Sequence, residues 1–243
     1  MSAARDAGPP LDSPIGVPRL QAIYDRTAAF YDAVVAAPQA EAKLEAIALL
    51  ARRTGERFLE VGVGTAWAFA RVVAASGDEG AIGLDLAPGM LAVARRRLAE
   101  EAGLAHSPVL LADARRLPLA DAAFDCLLST YTLEVLPAAD AETVLAECRR
   151  VLRPGGRAVF LNLTPGEGAD APFTDDWQRH FAVDPERFGG ARPIRAAPLL
   201  RKAGFRDVSR RYLGGDWPSE LLVARPSGKR RSGDLQVATD VAS

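Results

Sequence analysis

The ten residues from Phe58 to Trp67, FLEVGVGTAW, constrain the fold of this chain more than any other stretch. Phe58, Leu59 and Val61 form a short apolar run of the kind buried in a sheet, and Glu60 sets a carboxylate near its end. Gly62 and Gly64 then allow a tight turn and a close approach of backbone to a ligand, and a helix follows. The next apolar run, AIGLD from Ala81 to Asp85, is a second strand with an acid at its carboxyl end. From there a carboxylate accepts hydrogen bonds from both hydroxyls of a ribose. The pattern reads as a strand-helix-strand unit around a nucleoside.

Which nucleoside turns on the third glycine. A dinucleotide turn, G-x-G-x-x-G, needs glycine at position 67, where helix, strand and pyrophosphate crowd together, and this chain has Trp67. That disfavours a pyrophosphate and places a nicotinamide-dependent oxidoreductase behind other readings. S-adenosylmethionine carries no phosphate. Its methionine carboxylate suits the first N–H groups of a helix, and Glu60 suits its ammonium. A strand-glycine-helix turn on its own is also what an unrelated α/β protein shows, so discrimination needs further segments.

Three supply it. LLADARRLPL, Leu110 to Leu119, reads as a third strand that ends in Asp113 and Ala114, a carboxylate for an adenine amino group. FDCLLSTYTLEVLP, Phe124 to Pro137, reads as a fourth. RRVLRPGGRAVFLNLTP, Arg149 to Pro165, reads as a helix end stopped by Pro154 and Gly155, then a fifth strand. In this order the segments resemble the motif series of class I S-adenosylmethionine-dependent methyltransferases, over roughly residues 20 to 225. The resemblance implies an α/β, doubly wound, mostly parallel seven-stranded sheet with a C-terminal antiparallel hairpin. RDVSRRYLGG and PSELLVARP, after a helix closed by Gly204, suit that hairpin. One departure is Ala66, where the family usually has glycine, followed by the large Trp67.

The expected organisation is a flexible arm over residues 1–18, rich in proline and glycine, a methyltransferase domain over 19–225, and a tail over 226–243. Within the domain, residues 19–54 read as a helical cap. They carry YDRTAAFYD, Tyr24 to Asp32, which resembles the N-terminal cap of ubiquinone and menaquinone biosynthesis methyltransferases and of bacterial phospholipid N-methyltransferases. The alternative is an amphipathic helix whose tyrosines merely pack on the sheet. Residues 164–193, with Phe173, Trp177, His180, Phe181 and Phe188, read as a substrate cover with an apolar inner side, or as an ordinary packed insertion.

Composition bounds the partners. With Lys+Arg 30 against Asp+Glu 31 and a net charge of -1, nothing favours nucleic acid. No apolar run reaches membrane-spanning length and no signal-peptide core is legible at the N-terminus, so a cytoplasmic enzyme is expected, with peripheral membrane contact left open. Cys126 and Cys148 read as buried small hydrophobes, and His106 with His180 makes too few ligands for a zinc site, so no metal is expected. The oligomeric state is not legible.

The chemistry expected is methyl transfer from S-adenosyl-L-methionine, leaving S-adenosyl-L-homocysteine, by in-line displacement to a small lipophilic or aromatic acceptor, quinone-precursor-like or lipid-like. A non-catalytic S-adenosylmethionine-binding scaffold or sensor is the alternative, because no unambiguous base is visible. By the resemblance, Tyr24 meets the methionine end, Glu60, Gly62 and Gly64 the amino-acid and sugar region, and Asp85 the ribose. Leu86 and Met90 take the adenine face, Asp113 and Ala114 its edge, and Ser129 and Thr130 the sulfonium end. Candidate catalytic groups are Tyr131, Glu134 and His180. Glu134 also reads as a solvated carboxylate at a helix start, and His180 sits in no motif.

Overall fold

A strand buried at every position must have neighbours on both edges and helices on both faces, and β1 (Phe58–Val61) is such a strand. A computed structural model describes residues 12–104 and 106–227. In it β1 lies between β2 (Ala81–Asp85) and β4 (Phe124–Thr130), parallel to both. β3 (Val109–Leu111) extends the sheet beyond β2, and β5 (Leu152–Leu163) follows β4, again in parallel. β7 (Ser219–Pro226) runs antiparallel between β5 and β6 (Phe205–Leu213). The strand order β3-β2-β1-β4-β5-β7-β6 is thus a seven-stranded, mostly parallel sheet with a C-terminal antiparallel hairpin, as expected. Its order reverses between β1 and β4, and open α/β sheets bind ligands at the carboxyl ends of such strands.

Alternation along the strands divides the core. Phe58 faces one layer with α2 (Ala40–Leu50), α3 (Trp67–Ser76), α4 (Pro88–Glu101) and α6 (Ala171–Val183). Leu59 and Val61 face the other, with α5 (Ala138–Val151) and α7 (Ala196–Lys202). Phe58 stacks on Phe69 of α3, with centroids 5.5 Å apart. Cys126 and Cys148 are buried, one in each layer.

Some boundaries differ from the sequence reading. β3 is a short edge strand that stops at Leu111, so Asp113 stands beyond it in the following turn. α5 ends at Val151, before Pro154, and extended backbone runs through the Pro-Gly-Gly segment, with Gly155 at φ 86°. α1 (Val17–Thr27) begins with Pro18 in its first turn, where proline's missing N–H costs nothing. Residues 1–11 of the expected arm and 228–243 of the expected tail lie outside the described residues. Asp12 already packs: its carboxylate accepts from the Ala138 N–H at the start of α5, 2.8 Å.

Candidate active site

The glycine turn after β1 puts three residues in five into the left-handed region: Gly62 at φ 73°, Gly64 at 53° and Ala66 at 60°. Each glycine has its own reason. A Cβ on Gly62 would run into the side chain of Thr132, whereas one on Gly64 would meet nothing within 4 Å, because Gly64 faces an open cavity. Ala66 tolerates the conformation at about 1 kcal/mol and is fully buried as the first cap of α3. The turn is pinned from β2, since Gly62 and Val63 both donate to the Leu84 carbonyl, at 3.0 and 2.9 Å.

Asp85 ends β2 and ties this turn to the next. Its carboxylate accepts from Gly64 N–H at 2.8 Å and Ala87 N–H at 2.9 Å. Burial raises its carboxyl above the ordinary range, against the pull of these backbone donors. Two acceptor positions on an ionised carboxylate remain for a ligand. Asp113 is different: Arg115 donates to it at 2.7 and 3.0 Å, and this pairing holds its carboxyl below the usual range.

The cap closes over these strand ends. Tyr24 and Tyr31 meet edge to face, with centroids 6.1 Å apart, and both line the cavity. The aspartate after each tyrosine is an anchor. Asp25 accepts from Gly89 N–H at the start of α4, 2.7 Å. Asp32 accepts from the Thr65 hydroxyl at 2.6 Å and pairs with Arg97 at 2.7 Å, and Arg97 also donates to the Thr65 carbonyl. Ala28, between them, is buried against Ala87 and Met90. A one-turn π-helix, Asp32–Ala36, carries the second anchor.

The cleft beneath the cap, open to solvent on one side, holds about 810 Å³ of empty space. Of the residues expected at the cofactor, Tyr24, Gly62, Gly64, Asp85, Leu86, Met90, Asp113, Ala114 and Thr130 line it together. Glu60 and Ser129 do not line it; both are buried, each with a side-chain oxygen, Oε2 and Oγ, that has no partner among the described residues. Neither Ala66 nor Trp67 narrows the cavity. The Trp67 ring turns away beneath the Arg71 guanidinium, 3.6 Å from its centroid.

Of the catalytic candidates, Tyr131 lines the cavity. It holds φ 54°, a strained conformation for an aromatic residue of the kind found at ligand sites. Ser219 Oγ donates to the Trp217 carbonyl at 2.8 Å, so the Tyr131 hydroxyl, 2.8 Å from that same Oγ, is the donor to it. Burial raises the phenol, which keeps its proton. Glu134 is buried but outside the lining; its Oε1 accepts from Leu163 N–H at 3.1 Å, and burial pushes its carboxyl up to about 8. It is not the solvated carboxylate of a helix start. His180 stands half-exposed on α6, its Nδ1 2.9 Å from the Asp176 carbonyl, away from the cavity. No residue from Thr164 to Pro193 lines the cavity. Trp177 instead stacks on Phe188 at 4.2 Å and meets Trp217 edge-on, as part of the core layer that holds Phe58.

Sequence reasoning missed Val17, Leu20 and Gln21, which line the cavity from α1, and Arg115 and Thr132. Pro18 was the legible signal for α1, as a first-turn proline rather than a breaker. Tyr31 lay within the quoted motif without a role, and it shares the wall with Tyr24.

A glycine turn after β1, an acid ending β2 and a cavity at the switch point are what a nucleoside cofactor without phosphate requires. Residues 58–156 match the family described as a methyltransferase domain. The chain is 33% identical over 190 residues to the ubiquinone/menaquinone biosynthesis C-methyltransferase UbiE of Acidiphilium cryptum, covering 71% of this chain and 75% of that protein. It is 39% identical over 164 residues to the malonyl-[acyl-carrier protein] O-methyltransferase of Serratia marcescens, covering 68% of this chain and 58% of that one. The fold is similar to that of phosphoethanolamine N-methyltransferase 2 of Haemonchus contortus, solved with S-adenosyl-L-methionine, at TM-score 0.67 and 16% identity, over 88% of this chain and 61% of that chain. This chain belongs to the class I S-adenosylmethionine-dependent methyltransferases. Within that class it is similar to the ubiquinone/menaquinone group.

Proposed function

We propose that this protein transfers a methyl group from S-adenosyl-L-methionine to a small lipophilic or aromatic acceptor. The observation that carries the reading is one cavity on which the Gly62–Gly64 turn, Asp85, Asp113 and Thr130 converge from separate strands, with Met90 from α4. The residues fit the cofactor. Asp85 keeps acceptor positions for ribose hydroxyls, the space over Gly64 admits a ligand against the backbone, and Glu60, buried behind the lining, has an unpartnered Oε2 of the kind an ammonium uses. Bound S-adenosylmethionine supplies a methyl group already activated by its sulfonium.

The chain's part is then to bind, align and exclude water. Tyr24 and Tyr31 cover the site and are fixed by the two aspartate anchors. Val17, Leu20, Val135 and Leu136 make an apolar wall suited to a lipophilic acceptor. Tyr131 keeps its proton and spends it on Ser219, so it does not remove a proton from the substrate. With Glu134 and His180 outside the cavity, the arrangement favours an acceptor that arrives nucleophilic, such as a phenolate, a carboxylate or an amine. The relatives' names suggest two acceptor types, a quinone of ubiquinone/menaquinone biosynthesis and a malonyl thioester on acyl-carrier protein.

The test is turnover. The purified protein is incubated with methyl-labelled cofactor and either a demethylated quinol or a malonyl thioester, and product is followed by mass spectrometry, with Tyr131→Phe alongside. Methylation of either acceptor supports the reading and names the type. Cofactor binding with no turnover across both would favour a binding scaffold.

A further inference from the structure

Helix α2 buries Lys43 and exposes the adjacent Leu44, at 6% and 52% accessible. The Lys43 ammonium lies between two aromatic rings, 5.9 Å from the Trp67 centroid and 5.6 Å from that of Tyr131. Among the described residues it has no hydrogen-bond acceptor and no carboxylate at ion-pair distance. The ring faces stabilise the charge but leave its three N–H donors unspent. A little-exposed ammonium without a partner is unfavourable, and an apolar side chain of equal length would pack at no such cost.

The surroundings point to what would use it. α2 packs on β4, β5 and β7, so Lys43 stands over the strand ends beside Tyr131, which lines the cavity. Burial pushes Lys43 down to about 8, while the charge of Glu60 holds it up; Glu60 in turn has an oxygen without a partner. Neither Lys43 nor Glu60 lines the cavity itself; within electrostatic reach of each other but unpaired, they are matched by a ligand end that carries both charges and reaches past Tyr131.

We propose that Lys43 is the receptor for a carboxylate that enters beside Tyr131 and takes a charge-assisted hydrogen bond from the ammonium. The carboxylate has two sources, the amino-acid end of the cofactor and an acidic acceptor. The proposal rests on the methyltransferase reading above.

Calorimetry on the full chain and on Lys43→Met separates them. Both proteins are titrated with S-adenosylhomocysteine and with 5′-methylthioadenosine, which lacks the amino-acid end. Both are then saturated with S-adenosylhomocysteine and titrated with octanoate and with octan-1-ol. Methionine keeps the length and removes the charge, so a melting temperature at or above wild type is expected. A loss of tenfold or more for S-adenosylhomocysteine, with 5′-methylthioadenosine unchanged, assigns the cofactor's carboxylate. The same loss for octanoate, with octan-1-ol unchanged, assigns the acceptor's. If neither carboxylate ligand depends on Lys43 beyond twofold, the proposal is overturned. A wild-type protein that binds neither nucleoside overturns the methyltransferase reading, and this proposal with it, before any variant is compared.

Discussion

Replacing Asp85 by asparagine probes the cofactor site where its hydrogen bonding is densest. The carboxylate already serves Gly64 N–H at 2.8 Å and Ala87 N–H at 2.9 Å, and its remaining acceptor positions are the ones available to ribose hydroxyls. A hydrogen bond to a charged group contributes about 1.5–3 kcal/mol and one to a neutral group about 0.5–1.5, so each ribose bond weakens by about 1–1.5 kcal/mol. Two such bonds give about 2–3 kcal/mol, or roughly 30- to 150-fold in Kd for S-adenosylhomocysteine. Stability of the free protein should move much less. Asparagine turns one amide N–H toward a backbone N–H, which costs about 1 kcal/mol, but it also removes a charge whose burial is unfavourable. Calorimetric titration gives the Kd, and circular dichroism on the same samples checks the fold. A folded Asp85→Asn protein with wild-type affinity would refute the ribose assignment, and with it the argument from the end of β2.

Other outcomes follow from the same geometry. Gly62→Ala should destabilise by about 2–4 kcal/mol, from left-handed strain and overlap with Thr132, and Thr132→Ala should recover the overlap but not the strain. A double-mutant cycle in urea that shows no coupling would sink that contact. Asp32→Asn should loosen the cap by about 1–2 kcal/mol, read as faster proteolysis within residues 17–36 and weaker cofactor binding; an unchanged cleavage rate would show that the Thr65 and Arg97 contacts do not hold it. Burial pushes Glu134 up to about 8 from 4.5. Below pH 4.5 the group is protonated in both states, and between there and about 8 only the unfolded chain ionises, so stability falls as pH rises through this window. The loss is up to about 3 kcal/mol by pH 7. Glu134→Gln should flatten that slope in denaturation at pH 5 and pH 7, and parallel slopes for the two proteins would contradict it.

The parts of the site that could be read from sequence are those written in short range. A buried strand, its glycine turn and the acid ending the next strand each lie within a few residues of their structural cause, and all but Glu60 and Ser129 of the expected cofactor residues reach one cavity. What was not legible depends on contacts between distant segments. The bonds from Asp25 to Gly89 and from Asp32 to Thr65 span 64 and 33 residues. Nothing local distinguishes those aspartates from solvated ones. Lys43 hid for another reason: α2 is rich in alanine and leucine on every side, so no apolar stripe tells which face is inward. The aromatics of 164–193 had a local pattern, but whether they line a cavity or pack on one another is decided by Trp217, far along the chain.

The two aspartate anchors define an axis. A body bolted to another at two points can still turn about the line joining them, but it cannot slide along the surface or lift away without breaking a bolt. One bolt is on the first turn of α4 and the other is on the residue that follows the glycine turn, so the line passes along the rim of the cavity. Tyr24 and Tyr31 stand beside these bonds, so the wall they form over the cavity keeps its register on α4 and on the glycine turn.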